Sequence, residues 1–323
     1  VRRFLIRLTT AIQLTRLTVA FGAVSDIWFV ILLTRADSDY ANWIEVYDMP
    51  LAAALLAGAV VAVGLFAYGA ALNDVLDVRH DTAFSPQRPI PAGRIKLGQA
   101  IVVTIGSLIV AVLGGAGMGT WAVCITLLTA AGLLFYNATG KYIPPVGIIT
   151  IGLIHAAHMF IPNHQLSFTL PVWLVMTHSM AIAGAVHVFE DKRPRLTRRA
   201  IAGTVLGWLF WSALIIGAGA MSPEGVWPSG ASPWGAVYPI LAAGAFIVVA
   251  IIKARRVSGA AAAEKLKRYG AMWQSLYGAA WLLGLGLKVQ ALWIGLFALF
   301  GFAAMTIIKE LTGLTGRPIS FRA

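Results

Sequence analysis

Apolar stretches of about twenty residues recur along the whole sequence, and each is long enough to cross a bilayer as a helix. They lie near 17–34, 51–73, 97–115, 119–136, 146–162, 169–189, 201–221, 236–252, 271–287 and 290–308. A chain built this way must satisfy its backbone hydrogen bonds inside each segment, so helices are the fold it can use in lipid. Only 12% of residues are charged, half of what a soluble domain carries, about 25%. The reading is an all-α, polytopic membrane bundle of nine to ten transmembrane helices, one domain over 1–323. Whether the last hairpin, "WLLGLGLKVQALWIGL", makes one span or two is left open. The basic, amphipathic "VRRFLIRLTT" before the first apolar run does not read as a cleavable signal. Cys124 is the only cysteine, which excludes disulfides and cysteine-based metal sites within one chain.

A net charge of +12 would point to nucleic acid in a soluble protein. Here the placement of the charges argues otherwise. With the N-terminus in the cytoplasm, every Lys and Arg except Arg35 and Lys288 falls in a cytoplasmic segment, as the positive-inside rule requires. The basic balance therefore reports orientation in a cytoplasmic (inner) membrane. Membrane lipid is the expected surrounding, and neither nucleic acid nor an obligate protein partner is expected. The loops holding Asp39 and Glu224 are expected on the far side.

One feature of the pattern is chemical. The second apolar run ends in "ALNDVLDVRHD" and turns at once into "SPQRPIPAGRI". In a helix continuing through Asp81, Asn73, Asp74, Asp77 and Asp81 share a face, because neighbours three and four apart do. Three carboxylates so close need compensation. Mg²⁺ provides it, typically through one or two carboxylates plus phosphate oxygens and water. Arg88, Arg94 and Lys141 nearby can hold phosphate oxygens, Arg as a planar fork and Lys as a point charge. The sixth apolar run ends similarly, in "AVHVFEDKRPRLTRR", with His187, Glu190 and Asp191 spaced to share a face. The echo lies four spans after the first, which fits two pseudo-repeated four-helix units. The plain alternative is solvated charge at helix ends, facing lipid head groups.

These residues carry a resemblance. "NDVLDVRHD" resembles the N-D-x-x-D-x-x-x-D motif of the UbiA family of intramembrane prenyltransferases, and "SPQRPIPAGRI" is similar to the basic turn that follows it there. Tyr136 and Lys141, in "LFYNATGKYIPP", and "HVFEDKRP" lie where that family has a Tyr, a Lys and a second Asp-rich motif. The resemblance implies a bundle around a central cavity capped by cytoplasmic loops, with two Mg²⁺ ions bridging an isoprenyl diphosphate. It implies that Asn73, Asp74, Asp77 and Asp81 serve one metal group and Glu190 and Asp191 the other. Arg88 and Lys141 would steady the leaving diphosphate, and Arg94, His187 and Arg16 would bind substrate. Asp74, Asp77, Asp81, Asp191, Lys141 and Tyr136 are the expected catalytic set. The sequence departs from the family at His187, where Asp is usual. Imidazole is a poor Mg²⁺ ligand, so His187 is expected to hydrogen-bond the diphosphate or Asp191.

The expected reaction is Mg²⁺-dependent transfer of an isoprenyl group from a prenyl diphosphate to a lipophilic acceptor, an aromatic ring or quinone precursor. A terpene cyclase and a phosphoribosyl transferase acting on polyprenyl phosphate use the same first motif and stay open. A transporter would keep its carboxylates near the midplane, whereas here they cluster at one surface. Phe66, Tyr68, Phe135, Tyr136 and Phe189 are placed to shield an allylic cation, or simply to pack. Asp26, His155, His158 and His178 sit inside spans. Such groups are either functional or paired with one another.

Overall fold

The computed structural model describes residues 14–16, 20–41, 43–222, 225–228 and 230–314, with backbone alone for 309 and 311–314. Arg2, Arg3, Arg7, Glu224, Arg317 and Arg322, which entered the charge argument, lie outside the described residues.

Among the described residues, ten long helices overlap the ten apolar runs. They are α1 (Phe21–Ala36), α3 (Leu51–Leu76), α5 (Leu97–Ala116), α6 (Thr120–Ala138), α7 (Pro144–Met159), α8 (Leu170–Phe189), α9 (Arg198–Ala220), α10 (Val237–Ala254), α11 (Gly259–Gly284) and α12 (Lys288–Leu314). Two short helices join them, α2 (Glu45–Asp48) and α4 (Val78–Phe84). Among the described residues there is no strand. Seven of the helices are long and apolar enough to cross a membrane: α3, α5, α6, α8, α9, α12 and the stretch Pro233–Ala254 that contains α10. Helices α1 and α7 have 16 residues each, a rise of roughly 24 Å. The first half of α11 carries Glu264, Lys265, Lys267 and Arg268, so only its second half is apolar. The final hairpin is two helices. Its turn is made at Gly286, whose φ of +80° is easy for glycine and costly for other residues.

Local sequence sets the helix ends. Proline opens α7 and α8, where its missing N–H costs nothing. The Thr197 side chain accepts the Ala200 N–H at the start of α9. Arg35, one of the two basic residues placed on the far side, is engaged by backbone: its Nη1 donates to the carbonyls of Val46 (3.0 Å) and Met49 (2.6 Å) at the end of α2.

Helix α1 divides the interior. Val24, Ile27 and Ile31 face a core built with α3, α5 and α6. Phe29, Val30 and Leu33 face a second core built with α7, α8, α10, α11 and α12. Small residues let helices approach closely where lipid gives no hydrophobic drive for association. A Cβ added at Gly64 on α3 would lie 2.7 Å from the Ala111 backbone nitrogen on α5.

Candidate active site

Helix α3 ends at Leu76 and α4 starts at Val78. Helical bonding continues across the break: the Asp77 N–H still reaches the Asn73 carbonyl (2.9 Å) and the Asp81 N–H reaches that of Asp77 (2.8 Å). The expected single acidic face becomes two lanes. In one, Arg88 Nη1 donates to Asp81 Oδ2 (2.7 Å) and Asp74 Oδ1 (3.4 Å), and Arg16 Nη2 adds a bond to Asp74 Oδ1 (2.9 Å). In the other, Lys141 Nζ donates to both Asp77 oxygens and to Asn73 Oδ1 (3.2 Å). The Tyr142 hydroxyl donates to Asp77 Oδ1 (3.3 Å). Burial and the Asp77 charge push that phenol above its ordinary pKa.

The turn after α4 delivers Arg88. The Arg88 N–H bonds the Ser85 carbonyl, and its own carbonyl accepts from the Ala92 N–H (2.9 Å). Arg94 braces that turn by donating to the Gln87 carbonyl. Lys141 comes from the 3₁₀ turn Gly140–Tyr142 between α6 and α7. Asn137 Nδ2 pins this region by donating to the Leu133 carbonyl (2.9 Å) and reaching the Gly69 carbonyl of α3 (3.5 Å).

The second acidic end differs from expectation. Helix α8 stops at Phe189, and Glu190 is its cap. Asp191 takes a left-handed conformation, φ +45°, which swings its side chain off the helix face. It is 64% exposed and paired with Arg193 and Arg195, each at 3.3 Å. His187 donates from Nε2 to the Pro194 carbonyl (2.9 Å), so it ties down the following loop and bonds neither Asp191 nor the first acidic end. Glu190 alone turns inward. Lys267 Nζ lies 2.9 Å from Oε1 and Lys192 Nζ 3.3 Å from Oε2. Burial raises the Glu190 pKa, but the two ammonium groups outweigh it and hold the carboxyl below its ordinary value. Burial lowers Lys267, just before the apolar half of α11, to about 8 against the pull of Glu190.

The two ends face one another. The Tyr136 phenol on α6 lies within electrostatic reach of Glu190, Asp77 and Arg16, and Lys267 feels Arg16 as well as Glu190. Lys267, Lys192 and Tyr142 were not singled out from sequence as site residues. Lys192 and Tyr142 lie inside the quoted "HVFEDKRP" and "LFYNATGKYIPP", and for Lys267 the signal was the basic "EKLKRYG" among the segments expected on the cytoplasmic side. Of the expected aromatic shield, Tyr68 is buried and Tyr136 faces the acids, while Phe135 is 50% exposed at the rim. An open cavity of about 730 Å³, lined by Tyr40, Leu128, Phe160, His164, Ser167 and Thr169, lies at the other end of α8. That is roughly 30 Å away along a 20-residue helix, and not where the charged groups converge.

Deeper in the bundle, Gln274 Nε2 reaches Asp26 Oδ2 (3.4 Å) and His155 Nδ1 (3.0 Å). His178 lies between the Gly270 carbonyl (3.2 Å) and the Tyr277 hydroxyl (3.1 Å). These groups are paired with one another, as membrane-buried polar groups usually are.

The first end fits a hard divalent ion. Its donors are all oxygens: Asn73 Oδ1 and the carboxylates of Asp74, Asp77 and Asp81. Among the described residues no group of three or more His, Cys, Asp or Glu is drawn together as a ready-made metal cage, and each carboxylate is held by an Arg or Lys. Mg²⁺ seldom uses an all-protein cage, and commonly binds through one or two carboxylates plus substrate phosphate.

A profile described as the UbiA prenyltransferase family matches residues 40–276. A digeranylgeranylglyceryl phosphate synthase from Sulfurisphaera tokodaii is 29% identical over 137 residues, 42% of this chain and 47% of that protein. One from Methanosarcina barkeri is 34% identical over 127 residues, 39% of this chain and 42% of that protein. The matched part thus spans less than half the length of these relatives. A solved structure, described as giving structural and mechanistic insights into the biosynthesis of digeranylgeranylglyceryl phosphate synthase in membranes, aligns with 93% of this chain and 97% of its own. The TM-score is 0.49 at 18% identity.

Proposed function

From the premise that this chain belongs to the UbiA prenyltransferase family, we propose that it moves an isoprenyl group from a prenyl diphosphate to a lipophilic acceptor within the membrane, using Mg²⁺. The observation that carries this reading is the meeting of Asn73, Asp74, Asp77 and Asp81 with Arg16, Arg88 and Lys141 at one end of an apolar helix bundle.

The chemistry follows from what these groups can release and bind. Arg88 and Lys141 can leave their carboxylates for diphosphate oxygens, and the side-chain oxygens of Asn73, Asp74, Asp77 and Asp81 would then be the ones to hold a metal ion. Mg²⁺, when bound, supplies charge that stabilises the departing diphosphate. The carbon–oxygen bond of the donor breaks with its electron pair going to the diphosphate. The allylic carbon then bonds to a nucleophilic atom of the acceptor, whose proton is lost to a base. Arg16, Arg88 and Lys141 oppose the charge growing on the leaving group, where preorganised cations act most strongly in a water-poor site. Tyr136 and Tyr68 present ring surface to the cation, and the apolar interior receives the isoprenyl chain. The charged end faces the cytoplasm, following the distribution of Lys and Arg. Cysteines at positions 88 and 39 in a Cys124→Ser background should then label from opposite sides. Labelling from the same side would remove this orientation.

A second reading of the acceptor has a specific observation behind it. Relatives bearing the matched segment are named digeranylgeranylglyceryl phosphate synthases. An acceptor of the glyceryl phosphate class would suit a site rich in Lys and Arg better than a neutral aromatic ring. Offering purified protein geranylgeranyl diphosphate with an isoprenyl glyceryl phosphate or with an aromatic acid, and weighing the products by mass spectrometry, separates the two. Prenylated aromatic product alone rejects the glyceryl phosphate reading, and no prenylated product from any acceptor rejects transfer.

A further inference from the structure

We propose that Lys267 supplies, from the protein itself, the positive charge that a second metal ion would bring to the diphosphate, so that one divalent cation serves this site. The proposal rests on the prenyl-transfer reading above and refines it.

A second metal group would need several oxygen donors converging at the end of α8, and only one carboxylate turns inward there. Glu190 is the one carboxylate of that end turned inward, and each of its oxygens has an ammonium against it, Lys267 at 2.9 Å and Lys192 at 3.3 Å. Asp191 is turned outward by its left-handed backbone and paired with Arg193 and Arg195. His187 spends Nε2 on the Pro194 carbonyl, and imidazole is in any case a poor partner for Mg²⁺. A divalent ion entering here would find one donor side chain and two ammonium groups repelling it. The residues at this end therefore do not fit the second metal group that the family resemblance implies.

Charge balance points the same way. Asp74, Asp77, Asp81 and Glu190, together with a diphosphate ester of about three negative charges, face the cations Arg16, Arg88, Lys141, Lys192 and Lys267. One divalent ion brings that assembly to neutrality, and a second would leave it positive. Lys267 is placed for the task. Its side chain is 19% exposed, and its electrostatic neighbours include Arg16, whose guanidinium already touches Asp74 at the other acidic end. When a diphosphate enters between the ends, Lys267 can turn from Glu190 to an anionic oxygen while Lys192 keeps the carboxylate paired.

The test counts metal on the full-length protein in detergent. Bound Mn²⁺ is measured by electron paramagnetic resonance after equilibrium dialysis with saturating inorganic diphosphate, and diphosphate affinity by calorimetry. One Mn²⁺ per chain is expected, with the count unchanged in Glu190→Gln. Lys267→Met should weaken diphosphate binding about tenfold or more, and Lys267→Arg, which keeps the charge, should restore most of it. Two Mn²⁺ per chain, with one lost in Glu190→Gln, would overturn this inference and leave the prenyl-transfer reading standing. No Mn²⁺ in the wild type would overturn both. Unchanged diphosphate affinity in Lys267→Met would overturn the role of Lys267.

Discussion

Lys141 Nζ lies 2.6 Å from one oxygen of Asp77 and 2.7 Å from the other. The bond joins the turn between α6 and α7 to the break between α3 and α4. Under the proposed reaction, Lys141 is the partner that Asp77 would exchange for a metal–diphosphate complex.

Asp77→Asn keeps the shape of the side chain and removes its charge. It should lower turnover by a factor on the order of 10²–10³, the typical loss when one well-placed charge stabiliser is removed. Lys141→Met should chiefly weaken donor binding. Steady-state kinetics on both variants separates the effects. Near wild-type turnover in Asp77→Asn at low Mg²⁺ would contradict the assignment of this lane to the metal.

Gly147 lies on the first turn of α7, beneath the Lys141 turn. A Cβ there would sit 2.9 Å from the Gly140 carbonyl oxygen and 3.2 Å from the Lys141 Cα. Gly147→Ala should therefore shift Lys141 without touching substrate. Small misplacements of catalytic groups are costly, and a fall in kcat/KM of about tenfold or more is expected with the helical circular dichroism unchanged. Unaltered kinetics would mean that the turn relaxes freely.

The Glu190–Lys267 pair predicts how the metal-free protein responds to pH. The folded-state pKa of Glu190 lies below its ordinary value of 4.5. Its stabilising contribution is therefore present above about pH 4.5 and is lost as pH falls through the folded value. Lys267 is lowered from 10.5 to about 8. Between these values the unfolded chain holds a proton that the folded chain has released, so this residue makes stability rise with pH across that window. Thermal unfolding in detergent from about pH 2.5 to about pH 10.5 reads both limbs. Lys267→Met should flatten the alkaline rise and move the acid limb upward, because Glu190 then faces Lys192 alone. Identical profiles for the two proteins would contradict the pairing.

The sequence was most readable where the interactions are local. Apolar runs of membrane-spanning length located all ten long helices, because a helix in lipid must satisfy its own backbone. The i, i+4 spacing of Asn73 and Asp77 placed them on one face, and both side chains accept from Lys141. The spacing of Glu190 and Asp191 misled, because a helix-face argument holds only while the helix continues, and Asp191 sits in the left-handed turn that ends it. Lys267 was out of reach for another reason. It lies 77 residues from Glu190, and nothing in the intervening sequence sets the register between α8 and α11. The short spans are also tertiary effects. Helix α7 ends at Met159 although the apolar run continues to Ile161, and Ile161 is buried against the α1–α3 core.

The most direct measurement of the central claim is the consumption of a prenyl diphosphate by the purified protein with and without Mg²⁺, alongside Asp77→Asn. Diphosphate release should require Mg²⁺ and fall at least about a hundredfold in the variant, on the scale of losing one charge stabiliser. Release that proceeds equally after removal of divalent metal, or equally in Asp77→Asn, would contradict that claim.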